Sequence, residues 1–270
     1  MRRKIFITYG NTIYYDSLCR IRKEAEATGF FDTVITYTDA DLSDEIKGHP
    51  LFQHERGGGY WFWKPYVILK TLTEIAGPDD IVIYSDAGNE IFADKEWEKY
   101  FSYLDDFSAI CFKYGGLMKQ WTKKEMLDYH ASYCRNLPEM WQIMGGLSLW
   151  TLKALPVVQE WYDLMSEHPE LVLDSPENDK EKQHSAFREH RHDQSALSCI
   201  VYKNETVHKI KVLWEHCESY DQNGQAAFCS RIANTPERQN GRPHRPRTIF
   251  WRIKRHLRLF FRDLRQKRYR

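Results

Sequence analysis

Asp86 follows an apolar run, Ile81-Val82-Ile83-Tyr84, and enters a turn of small residues, Ala87-Gly88. A short β-branched run between turn residues reads as a buried strand. Ligands of open α/β sheets bind beyond the carboxyl ends of such strands. An acid in that place, with Ser85 before it and space around it, could supply an oxygen ligand to a divalent cation carrying a diphosphate. Aspartate also caps helices and closes turns, so position alone leaves a structural reading open. The preceding stretch, R-G-G-G-Y-W-F-W-K-P from Arg56 to Pro65, favours the ligand reading. Its glycines let backbone approach phosphate oxygens closely, and Arg56 and Lys64 bracket them. Lys64 precedes Pro65, which suits a first helical turn, and an anion is favoured at a helix N-terminus. Tyr60, Trp61 and Trp63 add flat faces, although their alternating spacing keeps them from all facing one ligand.

Three further groups could take part. Asp193-Gln194 stands at the start of an apolar helix, where capping is the competing explanation. His190 and His192 form a lone H-x-H in a charged segment, and His216 follows a late strand, a better place for a metal ligand. Gly145-Gly146 interrupts the apolar run Trp141 to Trp150, which predicts a bulge or a close approach of backbone to something else. No G-x-S-x-G, P-loop, G-x-G-x-x-G or H-E-x-x-H occurs, which argues against hydrolase, NTPase, dinucleotide and metalloprotease chemistry.

The elements that must position these groups alternate. Residues 4–9 read as a strand, 16–28 as a helix stopped by Gly29, and 31–37 as a second strand. A helix follows Pro65 to Ala76 and ends at Gly77-Pro78; the Asp86 strand comes next. Helix 97–104, strand 108–112, helix 155–167, helix 196–202 and strand 209–214 complete the pattern. Thr122 with Glu125 three residues on predicts a capping box opening a helix to Tyr133, and the charged stretch 168–190 predicts a mobile loop. Strands alternating with helices define an α/β class with a mostly parallel central sheet flanked by helices.

With 270 residues and 42% hydrophobic content the chain can bury a substantial core without disulfides. Six cysteines show no C-x-x-C spacing, the N-terminal apolar run is too short for a signal peptide, and no run approaches the length of a membrane span. A reduced cytoplasmic setting is therefore expected. The net charge of +1 conceals an asymmetry. Residues 242–270 hold 12 Lys or Arg and one acid, Asp263, which leaves the rest of the chain at −10. Pro236, Pro243, Pro246 and Gly241 read as a linker. Residues 249–266 read as a basic amphipathic helix, with Phe250, Ile253, Leu257, Phe260, Phe261 and Leu264 on one stripe. We expect two units, 1–235 and 236–270, with the second docking on an anionic membrane surface. Packing of that helix on the acidic body is the alternative; no nucleic-acid motif accompanies the tail, so no specific nucleic acid is expected.

Taken in order, I-T-Y-G-N, G-G-Y-W-F-W-K-P-Y-V-I-L-K, I-V-I-Y-S-D-A-G, M-G-G-L-S-L-W and H-D-Q-S-A-L-S resemble bacterial glycosyltransferases of the GT-A (Rossmann-related) fold, in particular those of capsule or O-antigen assembly. The resemblance covers roughly residues 4–220, and its specific part is the Y-W-F-W-K-P and D-A-G blocks. It implies a UDP- or GDP-sugar donor at Thr8, Tyr9, Asn11, Arg56, Tyr60, Trp63, Lys64, Ser85, Asp86 and Ala87. Gly145 and Gly146 would face the donor sugar, and Asp193 and Gln194 would lie near the reacting carbon. It also implies a divalent cation, Mn²⁺ or Mg²⁺, on Asp86 and His216, and a saccharide or lipid-linked acceptor at the cytoplasmic face of the inner membrane. The chain departs from the family's D-x-D motif because Gly88 stands where the second acid belongs, which puts the metal in question. A nucleotidyltransferase, or a non-catalytic peripheral protein of the same fold, are the competing readings.

Overall fold

A computed structural model describes residues 2–134, 136–174, 181–221, 224–235, 238–244, 248–250, 253–254, 257, 260–261 and 264. Nine strands are found among them: β1 Lys4–Tyr9, β2 Thr33–Tyr37, β3 Ile81–Ser85, β4 Glu90–Ile91, β5 Ala109–Leu117, β6 Trp141–Ile143, β7 Leu147–Thr151, β8 Ile210–Trp214 and β9 Ala227–Phe228. Seven form the central sheet, in the order β2-β1-β3-β7-β5, with β6 beside the far half of β5 and β8 along its other edge. β1 pairs in parallel with β2 and β3, and β5 with β8; β7 runs against both β3 and β5. The expected α/β architecture with a mostly parallel sheet is what the chain forms. β4 and β9 make a small separate antiparallel pair.

Alternation along the central strands divides the core into two layers. Ile5, Ile7 and Tyr9 of β1 join Val82 and Tyr84 of β3 on one face. Phe6, Ile81 and Ile83 join the other. Helices Trp63–Glu74, Leu155–Glu167 and His192–Asn204 cover the first face; Tyr15–Thr28 and Glu96–Tyr103 cover the second. Ile5, Ile7, Val82 and Ile83 are fully buried, each worth roughly 1.5–3 kcal/mol of transfer free energy. Because β3 is covered on both faces, its sequence is continuously apolar up to Tyr84, and the first acid falls where the strand leaves the core.

Two local expectations give way to tertiary structure. Thr122 caps nothing: its hydroxyl faces Gln142 at 3.2 Å and Ser195 at 3.1 Å in the core, and the helix is Lys124–Tyr129. Glu125 instead accepts from Gln183. The stretch 168–190 is not a bare loop. It contains helix Pro169–Val172 and a buried His190 that bridges the Lys123 amide and the Leu171 carbonyl. No described helix is long and apolar enough to cross a membrane.

Candidate functional site

The run R-G-G-G-Y-W coils left-handed. Gly57, Gly58, Gly59, Tyr60 and Trp61 all have positive φ, between 52° and 92°. Three glycines carry most of this conformation without strain, whereas Tyr60 and Trp61 each carry a cost of about 1–2 kcal/mol. The coil is packed as tightly as it is wound: a Cβ on Gly57 would lie 2.5 Å from the Trp61 indole. Trp63 Nε1 donates to the Gly57 carbonyl at 3.0 Å, closing the coil on itself. Lys64 follows in the first turn of the Trp63–Glu74 helix.

The Lys64 side chain runs inward, with 4% exposure, between two carboxylates. Its ammonium lies 2.9 Å from Asp193 Oδ2 and 3.3 Å from Asp86 Oδ1. Lys64 and Asp193 thus form a close, buried ion pair. Asp86 Oδ1 also accepts from the Tyr84 hydroxyl at 2.6 Å. Burial disfavours the lysine cation, but the charges of Asp193 and Asp86 outweigh it and hold Lys64 above its ordinary value. Asp193 is pushed up as well, by burial first, against the opposing pull of Lys64 and with the help of Asp86. The two directions are compatible, since one cation serves two carboxylates and Asp193 is the buried one, while 40% of the Asp86 side chain is exposed.

Gly145 and Gly146 make this closeness possible. They fall between β6 and β7, where the ladder breaks. A Cβ on Gly145 would be 3.2 Å from Asp193 Oδ2 and 3.3 Å from Lys64 Nζ, and one on Gly146 would be 2.9 Å from Asp86 Oδ2. The Gly146 carbonyl accepts from the Asp86 amide at 3.0 Å and from Asn89 Nδ2 at 2.9 Å, fixing the turn after β3 to β7.

Above this floor opens a cleft of about 530 Å³. Tyr9, Asn11, Arg56, Trp63, Lys64, Asp86, Ala87, Gly145, Gly146, Asp193 and Gln194 all line it, as expected. Tyr9 stacks on Trp63 with ring centres 4.0 Å apart, and both residues are buried. Arg56 sits at the rim, paired with Asp174 at 2.9 Å and Glu189 at 3.0 Å. Four expected residues do not line the cleft. Thr8 is fully buried in β1, and Ser85 is buried behind the turn, accepting from Asn89 Nδ2 at 3.0 Å. Tyr60 is turned aside by the left-handed coil and donates to Asp174 at 3.1 Å. His216 points elsewhere: its ring nitrogens face Glu96 at 3.2 Å and Asp221 at 3.6 Å, so it is not a partner of Asp86.

Trp61 and His192, also singled out in the sequence, line it as well, and other lining residues lay outside the expectation: Tyr14, Tyr114, Glu189, Arg191, Glu218, Arg231 and Arg238. Arg231 and Arg238 belong to a strap, described over residues 229–235 and 238–244, that crosses the turn after β3. Of the stretch read as a linker, residues 238–244 lie against the body; Pro236 and Pro246 fall outside the described residues. Arg242 pairs with Glu218 at 2.7 Å, and His244 stacks on Tyr220 at 4.2 Å. The signal for this strap is three arginines spaced through small and turn-forming residues, opposite an acid, Glu218, just after β8.

A divalent cation needs several oxygen ligands at once. Asp86 is the one carboxylate of its turn, and its Oδ1 already meets Tyr84 and Lys64. Among the described residues no three His, Cys, Asp or Glu side chains come together in a way that could hold a metal. The residues present do not fit the expected Mn²⁺ or Mg²⁺ centre.

No protein-family model matches the chain, and no curated protein sequence matches it. Solved structures similar to it include a glycosyltransferase involved in the glycosylation of the major capsid of PBCV-1, at 10% identity and a TM-score of 0.44, covering 84% of this chain and 92% of that one. The galactosyltransferase LgtC, in complex with donor and acceptor sugar analogues, is similar at 14% identity and a TM-score of 0.42, over 77% and 72% of the two chains. Mouse xyloside xylosyltransferase 1 is similar at 14% identity and a TM-score of 0.43, over 79% and 85%.

Proposed function

We propose that this chain is a glycosyltransferase, moving a sugar from a UDP- or GDP-sugar to a saccharide acceptor, carried on a lipid, in cell-surface polysaccharide assembly of the capsule or O-antigen type. The observation that carries the reading is the convergence, at the carboxyl ends of β1 and β3, of one cleft holding a buried Lys64 between two carboxylates and two glycines against them. Asp86, whose side chain is 40% exposed, suits a sugar hydroxyl. Transfer breaks the bond from the anomeric carbon to a phosphate oxygen, which keeps the electron pair. A bond forms from the acceptor hydroxyl oxygen to that carbon, and the hydroxyl proton leaves to a base. The developing charge on the departing diphosphate is what fixed cations in a water-poor cleft stabilise best.

The test is thermal unfolding against a panel of nucleoside diphosphates and nucleotide sugars. A ligand at ~100 times its Kd stabilises by about 2.7 kcal/mol, a shift of several degrees for a chain of this length. A shift with one nucleotide, weakened in Asp86→Ala, supports the reading and names the base. No shift with any nucleotide, together with no sugar release from labelled donors, sinks it.

The membrane part of the reading rests on the tail. Phe250, Ile253, Leu257, Phe260, Phe261 and Leu264 are helical and all exposed, from 45% to 86%, so the body does not cover them. The 12 Lys or Arg over residues 242–270, at about 1 kcal/mol per basic residue near an anionic surface, support a reading in which the tail docks at the cytoplasmic face of the inner membrane. Vesicles containing anionic phospholipid should sediment the full chain and not a chain ending at residue 248, whereas neutral vesicles should retain neither. Equal sedimentation of both chains by anionic vesicles would remove the tail from the reading.

A further inference from the structure

Gly88 stands with its α-carbon against the strap. A Cβ there would lie 3.1 Å from the Ile232 carbonyl and 3.3 Å from the Arg231 α-carbon. A side chain at this position would therefore meet strap backbone, not open cleft. The strap is tied down at that point: Ile232 N and Ser230 Oγ donate to the Gly88 carbonyl at 3.0 and 3.1 Å, and Ser17 Oγ donates to the Ile232 carbonyl at 2.9 Å. Asn234 N donates to the Ile13 carbonyl at 3.0 Å on the neighbouring wall.

What the strap brings in exchange is a guanidinium. Arg231 lines the cleft from a left-handed backbone position, φ 60°. Holding a non-glycine residue there costs about 1–3 kcal/mol, and such strain collects at functional sites. Its Nη2 donates to Glu218 Oε1 at 2.8 Å, while Nη1 is buried with no hydrogen-bond partner among the described residues. Glu218 is itself shared with Arg242, so it neutralises Arg231 only in part. On the cleft floor the point between the two carboxylates is already held by a cation, the Lys64 ammonium.

We propose that this site holds the diphosphate of its donor without a divalent cation, through Arg231 on the strap. The inference rests on the donor reading given above. Guanidinium presents several donors in a planar fork that matches phosphate. Arg231 would supply positive charge of the kind a bound metal would otherwise bring to the departing diphosphate. The backbone packed on Gly88 is what closes off that second acid.

The experiment titrates the full-length protein with UDP and with GDP by calorimetry and thermal unfolding, once in EDTA and once in Mn²⁺, with no turnover read. One of the two nucleotides is expected to bind with the same Kd in both buffers, within about threefold. Arg231→Gln should weaken that binding at least about tenfold in both, the weight of one charge-assisted hydrogen bond, and leave binding of the bare nucleoside unchanged. Tenfold or greater tightening of wild-type binding by Mn²⁺ would overturn the proposal, as would undiminished binding by a folded Arg231→Gln. The wild-type comparison needs no variant to fold. Loss of all nucleotide binding in either buffer would instead strike the donor reading itself.

Discussion

Replacing Lys64 by methionine tests the electrostatics of the cleft floor directly. Methionine keeps an unbranched chain of similar reach and removes the charge. Asp193, 7% exposed, then loses the ammonium at 2.9 Å and keeps the repulsion of Asp86. Removing one partner of a buried pair costs about 3–5 kcal/mol, because the other charge remains buried without compensation. At roughly 2–4 °C per kcal/mol for a chain of this size, the melting temperature should fall on the order of 10 °C at pH 8. The loss should depend on pH. Burial already raises Asp193 in the native protein, and without Lys64 the opposing pull is gone, so its folded-state value rises further. A carboxyl held above its unfolded value binds its proton more tightly when folded. The variant's deficit is therefore full above the raised value and shrinks as pH falls toward the unfolded value near about 4. Unfolding in urea at pH 8 and pH 5 would be compared for the wild type, Lys64→Met, Asp193→Asn and the double variant. The double variant should recover most of the loss, since an amide carries no buried charge. A deficit under about 1 kcal/mol at pH 8, or one equally large at pH 5 and in the double variant, would refute the account of a buried cation shared by two acids.

Gly146→Ala should destabilise by about 1–3 kcal/mol and weaken nucleotide-sugar binding, because the new methyl would push Asp86 Oδ2 away from 2.9 Å; calorimetry of donor binding against Gly115→Ala, where a Cβ meets nothing within 4 Å, separates the two effects. Gly57→Ala should cost about 2 kcal/mol or more in urea unfolding and quench or shift the indole fluorescence, since Trp61 lies 2.5 Å from the added carbon and the residue holds a φ of 62°. Acid should destabilise the wall beside the cleft: burial lowers His192 to about 4, although its Nδ1 donates to the Val172 carbonyl at 2.8 Å. A histidine kept neutral in the fold contributes its full stability above the unfolded value near about 6.5 and loses it as pH falls toward 4, so this group alone should remove about 2 kcal/mol at pH 5. Buried His190, lowered further by burial and by His192, adds to the same loss, and a flat stability profile between pH 7 and 5 would contradict both.

The floor of the cleft was legible because its residues sit at strand and helix ends, where local pattern says where a side chain emerges. Asp86 ends a run whose continuous hydrophobicity announces two covered faces, and Pro65 announces the helix turn that carries Lys64. What could not be read locally was which partners these groups meet. Lys64 looked like a free cation for phosphate, yet nothing near it in the chain signals Asp193, which approaches from the helix at 192–204. Thr122 carries a sound capping pattern, and a hydroxyl needed by Gln142 and Ser195 in the core overrides it. The strap was hidden for the same reason. Proline and glycine spacing reads as a linker whether the chain hangs free or lies across a site, and only the pairing of Arg231 and Arg242 with Glu218 tells the two apart. Gly88 joins the two halves of the problem. Seen in the sequence, it is an acid missing from a metal motif; in the fold, it is the contact that lets a guanidinium-bearing strap cross the same place. The metal and Arg231 bear on one place in the fold, which is why they are to be tested on the same binding curve.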